Sequence, residues 1–210
     1  LRASVKTENR ASAYINAWKE DYVSDPLIPM VSAIDELKVI DSEAKQQFAC
    51  RMATVKRVAS KVAKRGIVAA GKLATMNAVD LEEATEDVLS ETAGDAVDDV
   101  IESCKQEKAS LERFREALES AVKAIQSEDA PKPLVFFIDE LDRCRPTFAI
   151  ELLERIKHLF DVKHMVFVLS IDKAQLEAIT AAVYGERIDA PEYLRRFIDL
   201  EYTLPVVHTK

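Results

Sequence analysis

The spacing of apolar residues divides the chain into stretches of different period. Ala11 to Trp18, Ala-Ser-Ala-Tyr-Ile-Asn-Ala-Trp, is a short run with aromatic and β-branched members, the pattern of a strand. Asp25-Pro26 follows as a helix start, with Asp25 the cap and Pro26 in the first turn. Leu27, Met30, Val31, Ile34 and Leu37 then recur at helical spacing. From about residue 42 to 127 the period is helical throughout. Phe48, Met52, Val55, Ala59, Val62, Gly66, Ala69, Leu73 and Met76 advance by alternating steps of four and three, a heptad stripe, and Leu111, Phe114, Leu118, Ala121 and Ile125 repeat it. Between them Leu81, Val88, Val97, Val100 and Ile101 form a third apolar stretch, with Gly94 the expected break. The pattern predicts an antiparallel helical arm.

After Ala130-Pro131-Lys132-Pro133 the period changes. Leu134-Val135-Phe136-Phe137-Ile138 is an unbroken apolar run ending abruptly in Asp139-Glu140, as in a strand buried on both faces. A helix is predicted from Thr147 to Phe160, with Ile150, Leu153, Ile156 and Phe160 inward. Met165 to Leu169 is a second such run, ending in Ser170-Ile171-Asp172, and a further helix starts near Lys173. Two apolar strands joined by a helix imply a right-handed crossover and a parallel sheet covered on both sides. A short helix near Ala190 to Phe197 precedes Ile198 to Leu204, which alternates, stops at Pro205 and reads as an edge-like strand.

Composition narrows this picture. Of 210 residues 48% are apolar, too many for a disordered chain, and only four are glycine, so an all-β fold with many tight turns is excluded. The net charge of −8 opposes binding to nucleic acid. The charge is uneven: Ala44 to Val79 holds eight bases and no acid, and Asp80 to Glu102 ten acids and no base. These two stretches are expected to pair across the arm, although the basic one could also lie on an anionic membrane surface. Cys50, Cys104 and Cys144 are odd in number, lack metal-ligand spacing and are expected to stay reduced in a cytoplasm. The most apolar long window, Gly66 to Val79, contains Lys72 and falls short of the about 20 residues a membrane span needs. The sequence opens on Leu1, and a fragment of a longer polypeptide is expected.

Candidate chemistry gathers at the strand ends. Polar groups at the carboxyl end of a buried parallel strand face the crevice where α/β sheets bind ligands. In that place Asp139 would hold Mg²⁺ through its water shell and Glu140 would polarise an attacking water; the alternative is that both acids cap the next helix. Ser170 and Asp172 would lie near a γ-phosphate as sensor 1, or Asp172 would cap the helix from Lys173. Arg195 and Arg196 could contact nucleotide or a neighbour, Arg196 being the candidate nucleotide ligand, or could be solvated. Arg143 and Arg145 are expected to pair with Asp142 or Glu151, and Tyr14 and Trp18 to be core. His158, His164 and His208 form no pattern. Gly66-Ile-Val-Ala-Ala-Gly-Lys72-Leu73 mimics a phosphate loop, but Leu73 stands where the metal needs a hydroxyl, and no strand precedes it.

Taken together, Tyr14-Ile-Asn-Ala-Trp18 with Asp25-Pro26-Leu27, Phe137-Ile-Asp-Glu-Leu-Asp-Arg-Cys144 with Pro146, Val166-Phe-Val-Leu-Ser-Ile-Asp172, Tyr184-Gly185 and Tyr193-Leu-Arg-Arg-Phe-Ile-Asp199 to Leu204-Pro205 make the chain resemble the KAP family of P-loop NTPases. The resemblance implies an α/β fold: an ASCE-type parallel-sheet core, incomplete here and carrying a long helical insert. It implies ATP and Mg²⁺ as cofactors of the intact protein, with Asp139 and Glu140 as the Walker B pair and Ser170 or Asp172 as sensor 1. The family's phosphate loop lies upstream of the Asn-Ala-Trp strand, so this segment alone is expected to hydrolyse ATP poorly or not at all. The implied role is a membrane-associated switch of the kind known from bacterial phage-exclusion proteins. Residues 1–41 then hold the first strand and helix, 42–130 the insert, and 131–210 the Walker B, sensor 1 and final strands. A second copy of the chain is one way to close the sheet, which makes a homo-oligomer an expectation, and the arm could instead serve a non-catalytic interaction module.

Overall fold

The computed structural model describes residues 11–37, 39, 42–76, 86–126, 132–157, 159 and 162–204, with side chains omitted for most of 61–107. Three strands form one parallel sheet in the order β1-β2-β3: β1 Ser12–Asn16, β2 Leu134–Asp139 and β3 Met165–Ser170. Ser12 pairs with Val135 and Asn16 with Asp139, while Leu134 pairs with Met165 and Asp139 with Ser170. All three carboxyl ends are therefore level. Parallel neighbours require crossovers, and these hold the helices. After β1 come α1 Ala17–Glu20, α2 Leu27–Asp35, and the arm of α3 Ser42–Met76 and α4 Glu86–Lys123. A single 3₁₀ turn, Leu141–Arg143, and α5 Pro146–Lys157 join β2 to β3, and α6 Lys173–Tyr184 and α7 Ala190–Leu194 follow.

The two long apolar runs are strands as the pattern predicts, and β2 is buried from Leu134 through Ile138. Phe136 and Ile138, both fully buried, join Ala13, Ile15 and Met165 in a core with Met30 and Ile34 of α2 and Leu152, Leu153 and Ile156 of α5. Val135 and Phe137, which alternate onto the other face, are buried but lie outside that core. The start of α2 is fixed to α5 by an ion pair: Asp25, only 4% exposed, accepts from the Leu27 amide at 2.9 Å and from Arg155 at 3.1 Å. An unpaired acid at that depth would be costly, so the pair also fixes the entry angle of the helix.

The heptad stripe buries Phe48, Met52, Val55, Ala59 and Val62 against Phe114, Leu118 and Ala121. Arg51 near the start of α3 donates to Ser120 near the end of α4, at 2.6 Å to Oγ and 2.9 Å to the carbonyl, so the helices run antiparallel. The mimic of a phosphate loop lies inside α3 and is helical. Gly94 does not break the arm, because α4 is continuous through it; one helical glycine costs only about 1 kcal/mol, which neighbouring helix formers offset. The expected pairing of basic and acidic stretches falls on side chains outside those described, as do Cys104, Phe160, His158 and His208. No helix among the described residues is long and apolar enough to cross a membrane.

One predicted element is missing. Residues 198–204 form no strand, and Leu200, Tyr202 and Leu204 are 88%, 77% and 67% exposed. Alternation favours a strand only where an edge offers hydrogen bonds, and here the segment is held by Lys173, which contacts Glu201 at 2.7 Å, instead of by a ladder. The first strand and the short helix 190–197 are also trimmed. Residues 17–20 turn helical because Asn16 caps them, its side chain accepting from the Lys19 amide, and α7 stops at Leu194.

Candidate functional site

Asp139 ends β2, the strand flanked on both sides, and is opposite Asn16 of β1 and Ser170 of β3. Its Oδ2 accepts from the Tyr14 hydroxyl at 3.0 Å and its Oδ1 from the Glu140 amide at 3.1 Å. Both acids are half-buried. Glu140 leaves the strand in the left-handed region, at φ 57° and ψ 32°. Successive strand residues point to opposite faces, so in a continuing strand Glu140 would turn away from Asp139. The left-handed turn brings its Oε2 back to Asn16 Nδ2, which donates at 2.7 Å, while Oε1 meets Arg143 at 3.0 Å. For a residue with a Cβ this conformation costs about 1 to 2 kcal/mol, and such strain tends to sit where function over-determines the backbone. The turn is held by Leu141, fully buried, and by the Glu140 carbonyl, which accepts from the Arg143 amide at 3.2 Å. Neither acid caps α5.

Ser170 and Asp172 stand at the end of β3 and are exposed. The Ser170 carbonyl accepts from the Glu140 amide at 3.3 Å, which ties the two strand ends. Asp172 Oδ1 accepts from the Gln175 amide at 3.3 Å and caps α6. The structure therefore brings Asp139, Glu140 and Ser170 together and gives Asp172 a capping role. Arg196 lies elsewhere on its own turn, its guanidinium 5.6 Å from the centre of the Tyr193 ring. Arg195 pairs with Glu192 at 3.2 Å. A cavity of about 120 Å³ between Lys173, Leu194, Arg195, Ile198 and Asp199 is smaller than the roughly 300 Å³ at which ligand pockets begin.

Several neighbours differ from expectation. Arg143 pairs with Glu140, and Arg145 with Asp21, to whose carboxylate its amide donates at 3.1 Å and to whose carbonyl its guanidinium donates. Sequence proximity favoured Asp142 or Glu151, but the left-handed turn brings Glu140 to Arg143, and Arg145 faces the loop after α1. Trp18 is 52% exposed, not core, because the helical turn carries it outward from β1. Tyr14 is half-buried and belongs to the site, as does Asn16; sequence reasoning missed both roles. Tyr184 donates to Glu154 at 2.7 Å and lies 2.9 Å from the Tyr193 hydroxyl, a cluster that joins α5, α6 and α7.

The donor set suits a small hard cation. Asp139 offers carboxylate oxygens with lone pairs beyond those its two hydrogen bonds use, and Mg²⁺ is commonly held by one or two carboxylates together with waters and substrate phosphates. Among the described residues no group of three or more His, Cys, Asp or Glu could hold a metal unaided. A cation here would thus be completed by waters, and by phosphate where nucleotide is bound.

Three level parallel strands, crossover helices and acids at the central strand's carboxyl end define an incomplete P-loop NTPase core with a helical arm. Residues 3–210 match the KAP family P-loop domain, and the chain belongs to that family. Its fold is a nucleotide-binding P-loop fold, of a kind that in general uses nucleotide and Mg²⁺. No curated protein and no solved structure matches the chain.

Proposed function

We propose that this chain supplies the Walker B half of a Mg²⁺-dependent ATPase that drives a conformational switch, of the kind used in phage exclusion. The observation that carries the reading is the pair Asp139 and Glu140 at the end of the only strand flanked on both sides among the described residues, each fixed by a side chain of β1. Asp139 would hold the nucleotide's Mg²⁺, which neutralises phosphate charge. Glu140 would act as general base toward water. It is tied to Asn16 and Arg143, and an ion pair with an Arg143 that is 60% exposed is weak enough to exchange when substrate arrives. Ser170 and, less directly, Asp172 would sense the γ-phosphate, and Arg196 would need its turn to approach the nucleotide.

A phosphate-binding loop is required for the β- and γ-phosphates, and no segment of this sequence carries the full Gly-x4-Gly-Lys-Ser/Thr pattern. We place its strand beside β3, which has a strand partner on one side only among the described residues. Residues 42–130 would then be an insert that couples turnover to a partner, to another copy of the chain or to the membrane's inner face. The test measures Mg²⁺-dependent ATPase activity in a chain that includes the loop. Glu140→Gln should bind ATP and turn over little, and Asp139→Ala should lose metal-dependent turnover. Unchanged rates in both variants would favour a non-catalytic interaction module built on the arm.

A further inference from the structure

We propose that Tyr14 is a positioning residue for metal capture: its hydroxyl, donated across the sheet to Asp139 Oδ2, sets the carboxylate plane in which the cation is taken up. This rests on the reading of Asp139 as the metal ligand. A carboxylate torsion is broad and roughly two-fold, so an acid at a strand end does not by itself present its oxygens in one orientation. Here each oxygen has its own donor: the Glu140 amide on Oδ1 at 3.1 Å, and the Tyr14 hydroxyl on Oδ2 at 3.0 Å. Two donors on opposite oxygens fix the plane. Each oxygen keeps a lone pair for a metal or its water.

The position of Tyr14 is not accidental to the sheet. In the parallel register Tyr14 is opposite Phe137 and Asn16 opposite Asp139, so Tyr14 and Asp139 share a face and are diagonal neighbours. Packing alone could be met by a phenyl ring. What the phenol adds is a charge-assisted bond to a residue 125 positions away, and such bonds are stronger than neutral ones. Outer partners of this type typically change metal affinity by about 10- to 100-fold when removed. Asn16, on the same strand, serves Glu140 and not Asp139, so the two roles are separable.

Mn²⁺ as the probe, followed by paramagnetic broadening of backbone signals around residue 139 in this chain, tests the inference. In Tyr14→Phe the half-saturating Mn²⁺ concentration should rise about tenfold, with the thermal midpoint lowered by no more than the few degrees that one lost hydrogen bond costs, because the ring and its packing remain. Ile15→Val, which disturbs the same strand on its core face without touching this bond, should move it little. Tyr14→Phe with unshifted Mn²⁺ affinity, alongside broadening that Asp139→Asn removes, would overturn the role of Tyr14 and leave Asp139 as the ligand. No broadening near residue 139 in the unsubstituted chain, or broadening that survives Asp139→Asn, would remove the metal reading and this inference together. An equal loss in Ile15→Val would assign the effect to general disruption of β1 and also overturn it.

Discussion

The carboxyl ends of β2 and β3 lie side by side and are built differently. At the end of β2, Asp139 and Glu140 are half-buried and receive bonds from β1 and from the turn that follows. At the end of β3, Ser170 and Asp172 are exposed, and the Asp172 carboxylate is engaged by its own helix. The strands are equally long and similarly apolar. What separates them is place: among the described residues β2 has a strand neighbour on both sides, and β3 on one. A flanked strand can draw its site's supports from across the sheet, whereas an edge strand offers groups whose arrangement depends on what comes to lie beyond it.

The comparison can be broken most directly through turnover. In a chain that includes the phosphate loop, Glu140→Gln should lower kcat by about 10²- to 10⁴-fold, the usual contribution of a general base, and Ser170→Ala by clearly less; equal losses would erase the distinction. Stability gives the next largest effect. Phe136→Ala on β2, fully buried, should lose about 3 to 5 kcal/mol in urea unfolding, whereas Val166→Ala on β3, 45% exposed, should stay within about 0.5 kcal/mol of the unsubstituted chain. A large loss at Val166 would mean that the edge is already covered. Asp172→Ala should cost about 1 kcal/mol, the value of a helix cap, and a smaller cost would release Asp172 for another role.

The smallest effect concerns Cys144, beside the β2 turn. Burial first, then the negative charge of Asp21 and Asp142, pushes its thiol from 9.0 up to about 12. The unfolded chain ionises this thiol from near pH 9.0 while the folded chain keeps it neutral, so its contribution to stability is whole below that pH and declines as pH rises toward about 12. Urea midpoints measured above pH 9 should therefore fall less steeply in Cys144→Ala. Peptide mapping after iodoacetamide at pH 8 should find exposed Cys50 alkylated and Cys144 spared.

Much of the fold was legible in the sequence. Unbroken apolar runs ending in polar residues marked β2 and β3, and the four-three spacing marked the arm, because burial imposes those periods directly. The position of Asp139 and Glu140 at a strand end could be read in the same way. The supports of the acids could not. Tyr14 and Asn16 lie 125 and 124 residues from the groups they bind, and only the register of two strands brings them there. Residues 198–204 show the converse failure: their alternation is sound, but a strand exists only with a partner. Arg145 found Asp21, 124 residues away, while Arg143 found Glu140 through the left-handed turn between them.

The left-handed backbone of Glu140 places two demands on one position. Glycine adopts that conformation freely, so Glu140→Gly would ease the bend while deleting the carboxylate. Repeated selection for thermal resilience alone would thus be drawn toward glycine at 140 and would erode the chemistry proposed there, which makes tolerance of substitution at this position a measure of what the protein is being kept for.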